Sequence, residues 1–205
     1  IFGGGPFLFH LSQLLLHVGV TLLLFILFKI FIKPAYALYL SLIFLVHPGV
    51  SEAVLYISAA NDVLFVFFGL LALLTILKAE EMRKKEFILV SVFLGLAVFT
   101  KETGILFLVM AVLASWLFNR KALLPVLGAD FIVGAIYGFF RIKVAQIAFF
   151  KSGFSPIMQS SLTERLYSLP AIILYYLKII FFPKDLAIAQ YWIISSPNFS
   201  IGSKR

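Results

Sequence analysis

Long runs of Leu, Phe, Val and Ile recur along this chain, separated by short polar gaps. In order they cover about Phe7–Phe31, Ala35–Val46, Val63–Leu77, Phe87–Phe99, Gly104–Phe118, Ala122–Phe140 and Leu162–Phe182, and each predicts a helix. A hydrocarbon core roughly 30 Å thick needs about 20 residues at 1.5 Å each, so the first and last runs span it and several middle ones need their flanks. Ala35–Val46 is the most ambiguous. Pro34 suits its first turn, and the helix could run on through Pro48–Val50 or be re-entrant. Ser161-Leu-Thr-Glu164 has capping-box spacing and predicts where the last helix starts. With no repeat and no linker, residues 1–205 read as one membrane domain.

Composition turns this pattern into a fold class. A chain that is 62% hydrophobic, with 24 Phe, lies far outside the range of soluble domains, and its mean hydropathy is +1.09. The expectation is an all-α, polytopic integral membrane bundle of about seven segments. There is no cysteine, which removes disulfides, thiolate nucleophiles and thiolate metal sites. The net charge of +8 would suggest nucleic acid in a soluble protein, but here the basic residues fill gaps between apolar runs, so no nucleic-acid partner is expected. If the segments alternate, Lys29, Lys33, Lys78, Arg83, Lys84, Lys85, Arg120 and Lys121 share one face, cytoplasmic by the positive-inside bias. The chain opens at Ile1 inside a loop-like stretch, and is expected to be part of something longer.

The opposite face collects the candidate chemistry. HPGVSEAVLYISAAND, residues 47–62, is a wet segment between oily ones, and alternation puts His47, Glu52, Asn61, Asp62, Lys101, Glu102 and Arg141 at one membrane level. Ionisable groups near membrane helices are expensive and tend to line cavities or pathways. Each residue also has a plainer reading: His47-Pro48 as a helix end, Asn61-Asp62 as the cap of the next helix, and Lys101-Glu102 as an exposed turn pair worth under about 1 kcal/mol. In the first helix His10, Gln13, His17 and Thr21 share a face. For His17 and Thr21 the favoured reading is interhelical hydrogen bonding at about 0.6 kcal/mol per contact, while His10, nearer the polar end, stays a site candidate. No metal-ligand spacing exists, and GGGP at 3–6 fits neither phosphate-loop nor dinucleotide patterns. No cofactor is expected from these residues; a divalent metal has no support in them.

The order HLSQLLLH (10–17), HPGVSEAVLYISAAND (47–62), FTKETG (99–104) and YYLKIIFFPKDL (175–186) resembles the polytopic glycosyltransferases of the GT-C class. Within it the chain is most similar to the O-mannosyltransferase-like proteins that carry transmembrane helices followed by tetratricopeptide repeats, including bacterial relatives. The resemblance covers most of the chain. The family pattern is roughly H-x-x-N-x-x-x-H, then H-P-x-x-x-E-A-V with S-G-R-x-D, then S-K-E-T. His10, His17, His47, Pro48, Glu52, Ala53, Val54, Ser58, Asp62, Lys101, Glu102 and Thr103 match it. Gln13 stands for the family Asn, Ala59-Ala60 for Gly-Arg, and Thr100 for Ser, so one cation of the pattern is missing.

The resemblance implies sugar transfer from a polyprenyl-phosphate-linked donor to a protein or glycan acceptor, in a bacterial inner membrane with the site facing outward. Lys101 and Arg141 are then candidates for the donor phosphate, with His10, His47 and Asn61 on the site wall. The class usually takes its general base from a loop before the first helix present here. Glu52, Asp62 and Glu102 are therefore second-line carboxylates, suited to orienting groups. A transporter is a second reading, although it would favour broken helices and repeated halves. A non-catalytic subunit of a membrane complex is a third.

Overall fold

The computed structural model describes residues 6–56, 59–145 and 161–183. It divides into two compact units, Ile1–Gln146 and Ile147–Arg205. Among the described residues there are eight α-helices and no strand, so the protein is an all-α bundle.

In the first unit, α1 (Pro6–Phe31) is the longest helix. Its 26 residues make about 39 Å at 1.5 Å each, more than a bilayer core requires. After Lys33, α2 (Pro34–Val46) starts with proline at its first position, where the missing N–H costs nothing. It stops at His47, whose backbone is extended at φ −68° and ψ 125°. The helix therefore does not run on through Pro48–Val50; those residues form a separate 3-10 turn leading into α3 (Ser51–Leu55). The 13 residues of α2 reach only about 20 Å, short of a full crossing.

Next come α4 (Ala60–Lys78), α5 (Lys84–Thr100), α6 (Ile105–Phe118) and α7 (Leu123–Phe139). A 3-10 turn, Glu102–Gly104, joins α5 to α6, another at Arg120–Ala122 joins α6 to α7, and a π turn, Phe140–Val144, ends the series. The expected segments are all present, with polar flanks wound into them. α4 begins at Ala60 rather than Val63, and α5 at Lys84 rather than Phe87.

Helix α4 is the hub, packing against α1, α5 and α6, while α5 also packs on α7. Its 18-residue apolar window is 39% buried, against 17% for those of α1 and α7. The larger core joins Ala72, Leu73 and Ile76 of α4 to Val90, Leu94 and Val98 of α5, Phe107 and Ala111 of α6, and Val126, Ala129 and Val133 of α7. The smaller core, Val20 with Val63 and Leu70, seals α1 to α4. Small side chains bring the helices close, as expected where packing rather than water exclusion drives association. Gly69 lies against the Phe107 ring, where a Cβ would collide with it.

Most remaining apolar side chains point outward, among them Phe7, Leu124 and Phe131 at 73%, 79% and 77% exposure. In water this surface would be an aggregation liability; in a bilayer it is the lipid contact. Among the described residues, three helical stretches, Phe7–Phe31, Ala60–Lys78 and Arg120–Val144, are long and apolar enough to cross a membrane. The protein is an integral membrane protein.

The second unit contributes α8 (Leu162–Phe181). The capping box forms as its spacing predicts: the Glu164 N–H donates to Ser161 Oγ at 3.3 Å and the Ser161 N–H to Glu164 Oε2 at 2.8 Å. Residues 184–186 of the late sequence match lie outside the described residues, as does Ser58.

Candidate functional site: two ion pairs at one end of the bundle

The contacts sort the polar gaps to two ends of the first unit. Phe31 meets Phe118, ring centres 4.8 Å apart, so the C-termini of α1 and α6 lie together. The Asn119 amide donates to the carbonyls of Ile76 and Ala79, at 2.9 and 2.8 Å, and caps the C-terminus of α4 at that end. A solvent-open hollow of about 460 Å³ lies there too, lined by Lys78, Glu80, Glu81, Arg83, Glu86 and Lys121. Its charges are mixed and none is a sequence candidate.

The other end carries the candidates. Asp62 sits in the first turn of α4, where a carboxylate suits the helix dipole. Lys101 follows α5 with extended backbone, φ −152° and ψ 141°, which reverses the chain. The Glu102–Gly104 turn then folds back on α5, with Gly104 so close to the Ala97 carbonyl that a Cβ would strike it. The Lys101 ammonium donates to Asp62 Oδ1. Arg141, from the π turn, donates through Nη1 to Glu102 Oε1 and, at 2.8 Å, to the Tyr137 hydroxyl.

Lys101 and Glu102 therefore do not pair with each other. Their neighbouring positions reach apart, to α4 and to the turn after α7, giving a row Asp62, Lys101, Glu102, Arg141 with charges that sum to zero. The Arg141 side chain is 18% exposed, against 64% for Glu102, and is the most enclosed of the four. Aromatic rings lie beside the row. Phe99 stacks edge-on against Tyr137 and Phe140, and Lys101 lies 6.0 Å from the centre of Phe65.

The remaining candidates divide. Asn61, beside Asp62 on α4, is exposed, and neither caps the helix, whose N-cap residue Ala59 makes no side-chain cap. His47 accepts the Gly49 N–H on Nδ1 at 3.0 Å and so starts the 3-10 turn after α2. Its seen role is the plainer one, ending a helix. Glu52 lies on α3. His10 is exposed near the start of α1.

The stripe on α1 faces this segment. Gln13, 2% exposed, donates through Nε2 to the carbonyls of Ala53 and Tyr56 at 3.2 and 2.7 Å. His17 donates through Nε2 to the Leu45 carbonyl at 3.1 Å. Both thus satisfy backbone carbonyls at helix ends on the wall of residues 45–56. Thr21 departs from the expected interhelical bond: its hydroxyl donates to the His17 carbonyl, at 2.9 Å, one turn back in its own helix.

Two residues were not anticipated, and a third has a fuller role than its place on the α1 stripe implied. Gln13 is an anchor for the candidate wall, not only a family substitution. Tyr137 supports Arg141 from one helical turn before it, a spacing legible in the sequence. Asp130, a lone acid in the apolar run of α7, has a buried Oδ1 without a partner among the described residues. No cluster of three potential metal ligands occurs among the described residues.

No curated protein and no solved structure matches the chain. Residues 1–137 match the family described as dolichyl-phosphate-mannose-protein mannosyltransferase. That stretch contains the α1 stripe, the 47–62 segment, Lys101 and Glu102, and ends at Tyr137, before Arg141. With about two thirds of its length matched, this chain of membrane helices belongs to the dolichyl-phosphate-mannose-protein mannosyltransferase family.

Proposed function

We propose that the protein transfers a sugar from a polyprenyl-phosphate-linked donor to a hydroxyl of a protein or glycan acceptor, on the non-cytoplasmic face of a bacterial inner membrane. Family membership supports membrane glycosyltransferase activity of the mannosyltransferase type in general. The observation that carries the finer reading is the row of Asp62, Lys101, Glu102 and Arg141 at the end of the bundle away from the basic gaps.

The chemistry asks for what this end provides. The acceptor oxygen forms a bond to the sugar's anomeric carbon, the bond from that carbon to the phosphate oxygen breaks, and the lipid phosphate leaves with the electron pair. Negative charge grows on the phosphate, where Lys101 and Arg141 stabilise it. The hydroxyl proton goes to a carboxylate; Glu52, Asp62 and Glu102 orient the acceptor around it, with His10, His47 and Asn61 on the wall. Exposed apolar side chains beside the site, Phe99, Ile105 and Leu106 among them, give a polyprenyl tail a surface continuous with the lipid.

Donor affinity and transfer rate for Lys101→Ala, Arg141→Ala and Lys84→Ala in the full chain test the reading. A charge-assisted contact of roughly 1.5–3 kcal/mol means a loss of about 10-fold to 150-fold for either of the first two. Lys84→Ala, at the opposite end, is the control and stays near wild type. Wild-type donor affinity in a folded Lys101→Ala protein would remove Lys101 from the phosphate site.

A further inference from the structure

We infer that Asp62 and Glu102 act as place-holders for the phosphate, competing with it for Lys101 and Arg141. This rests on the phosphate reading above. It also alters what the carboxylates are for: they tune donor affinity and help expel the leaving group.

Neither cation waits open for a ligand. Lys101 is held by Asp62, and Arg141 by Glu102 and Tyr137. An arriving phosphate competes with the carboxylates for these cations, because Asp62 and Glu102 already offset the charge of Lys101 and Arg141 and hold donors that would face it. The exchange is cheap at the Lys101 pair, whose side chains are 40% and 36% exposed, since pairs of that exposure are worth little. The displaced Asp62 carboxylate is then free to accept from the acceptor hydroxyl, so donor binding and acceptor orientation become one event.

The return step is where competition matters most. A sugar-phosphate-lipid donor is a phosphodiester with one negative charge, whereas the released lipid phosphate is a monoester carrying between one and two at neutral pH. Bare cations would hold the product more tightly than the donor and stall turnover. A carboxylate tethered beside each cation re-forms its pair as the product leaves, offsetting that preference. Tyr137 has the complementary task, holding Arg141 in place when Glu102 lets go.

A merely structural ion pair predicts the opposite response to neutralising its acid. Binding of a short-chain isoprenyl phosphate and of its mannosyl phosphodiester to the full chain in detergent, without acceptor, separates the two. Asp62→Asn should tighten the monoester by up to about five-fold and the phosphodiester by less, and should strengthen product inhibition. Glu102→Gln should act in the same direction through Arg141, and serves if Asp62→Asn fails to fold. If both folded variants bind the monoester no better than wild type while Lys101→Ala loses it, the place-holder role is wrong and the phosphate site stands. If Lys101→Ala and Arg141→Ala both keep wild-type affinity, the phosphate reading falls and this inference with it.

Discussion

The Gln13 amide on α1 donates to the backbone carbonyl of Tyr56, 43 residues further along the chain, and shares its second N–H with Ala53. One buried side chain thus satisfies the end of α3 and fixes the segment on which Glu52 lies and after which Asn61 and Asp62 follow. Gln13→Leu keeps the volume and removes both bonds, taking the side-chain donor from Ala53 and leaving Tyr56 only the Ala59 N–H. Leaving a buried acceptor unmade costs about 1–3 kcal/mol, so thermal unfolding in detergent should move clearly downward. An unchanged melting temperature would show that water reaches those carbonyls freely.

The two glycine classes should behave differently. Gly104→Ala drives a Cβ into the Ala97 carbonyl, which is backbone and cannot turn aside, whereas Gly134→Ala meets nothing within 4 Å. The first should distort the Lys101-Glu102 turn and abolish transfer. The second should be neutral or stabilise the helix by up to about 1 kcal/mol. Equal activity and stability in the two variants would contradict the tight turn.

Asp130 makes a prediction of the opposite sign. An acid with a buried, unpartnered oxygen inside an apolar helix is unfavourable in the isolated fold. Asp130→Leu should raise the unfolding temperature, by the equivalent of about 1–3 kcal/mol. A fall instead would reveal a partner for Asp130 elsewhere in the assembled protein.

Topology can be probed without first removing native thiols, because the chain has no cysteine. Lys84→Cys and Lys101→Cys lie at opposite ends of α5. A membrane-impermeant maleimide applied from one side should label one and spare the other. Labelling of both from the same side would break the proposed alternation.

Helix number was legible because apolar runs are long and lipid leaves the backbone no alternative to internal hydrogen bonds. Helix ends were less so. Asn61 and Lys84 read as loop residues by polarity, yet the chain keeps winding through them and lets their side chains reach the polar boundary. The grouping of Asp62, Lys101, Glu102 and Arg141 followed from alternation alone. Their pairing did not, since each ion pair joins residues 39 apart and the nearer choice, Lys101 with Glu102, was the natural guess. Asp130 escaped notice because its apolar neighbours disguised the one charge among them.

Lys101 and Glu102 carry opposite charges on adjacent residues, and the bend between them sends one to each side. That makes the short stretch from Thr100 to Thr103 a reading frame. Gain or loss of a single residue there would present an acid to Asp62 or a base to Arg141, turning one attraction into a repulsion and removing the other. Loops such as 79–83 could drift in length without such a penalty. Length variation among natural relatives should therefore be frequent in those loops and nearly absent between α5 and α6, a record that a collection of sequences would keep even where the individual residues have changed.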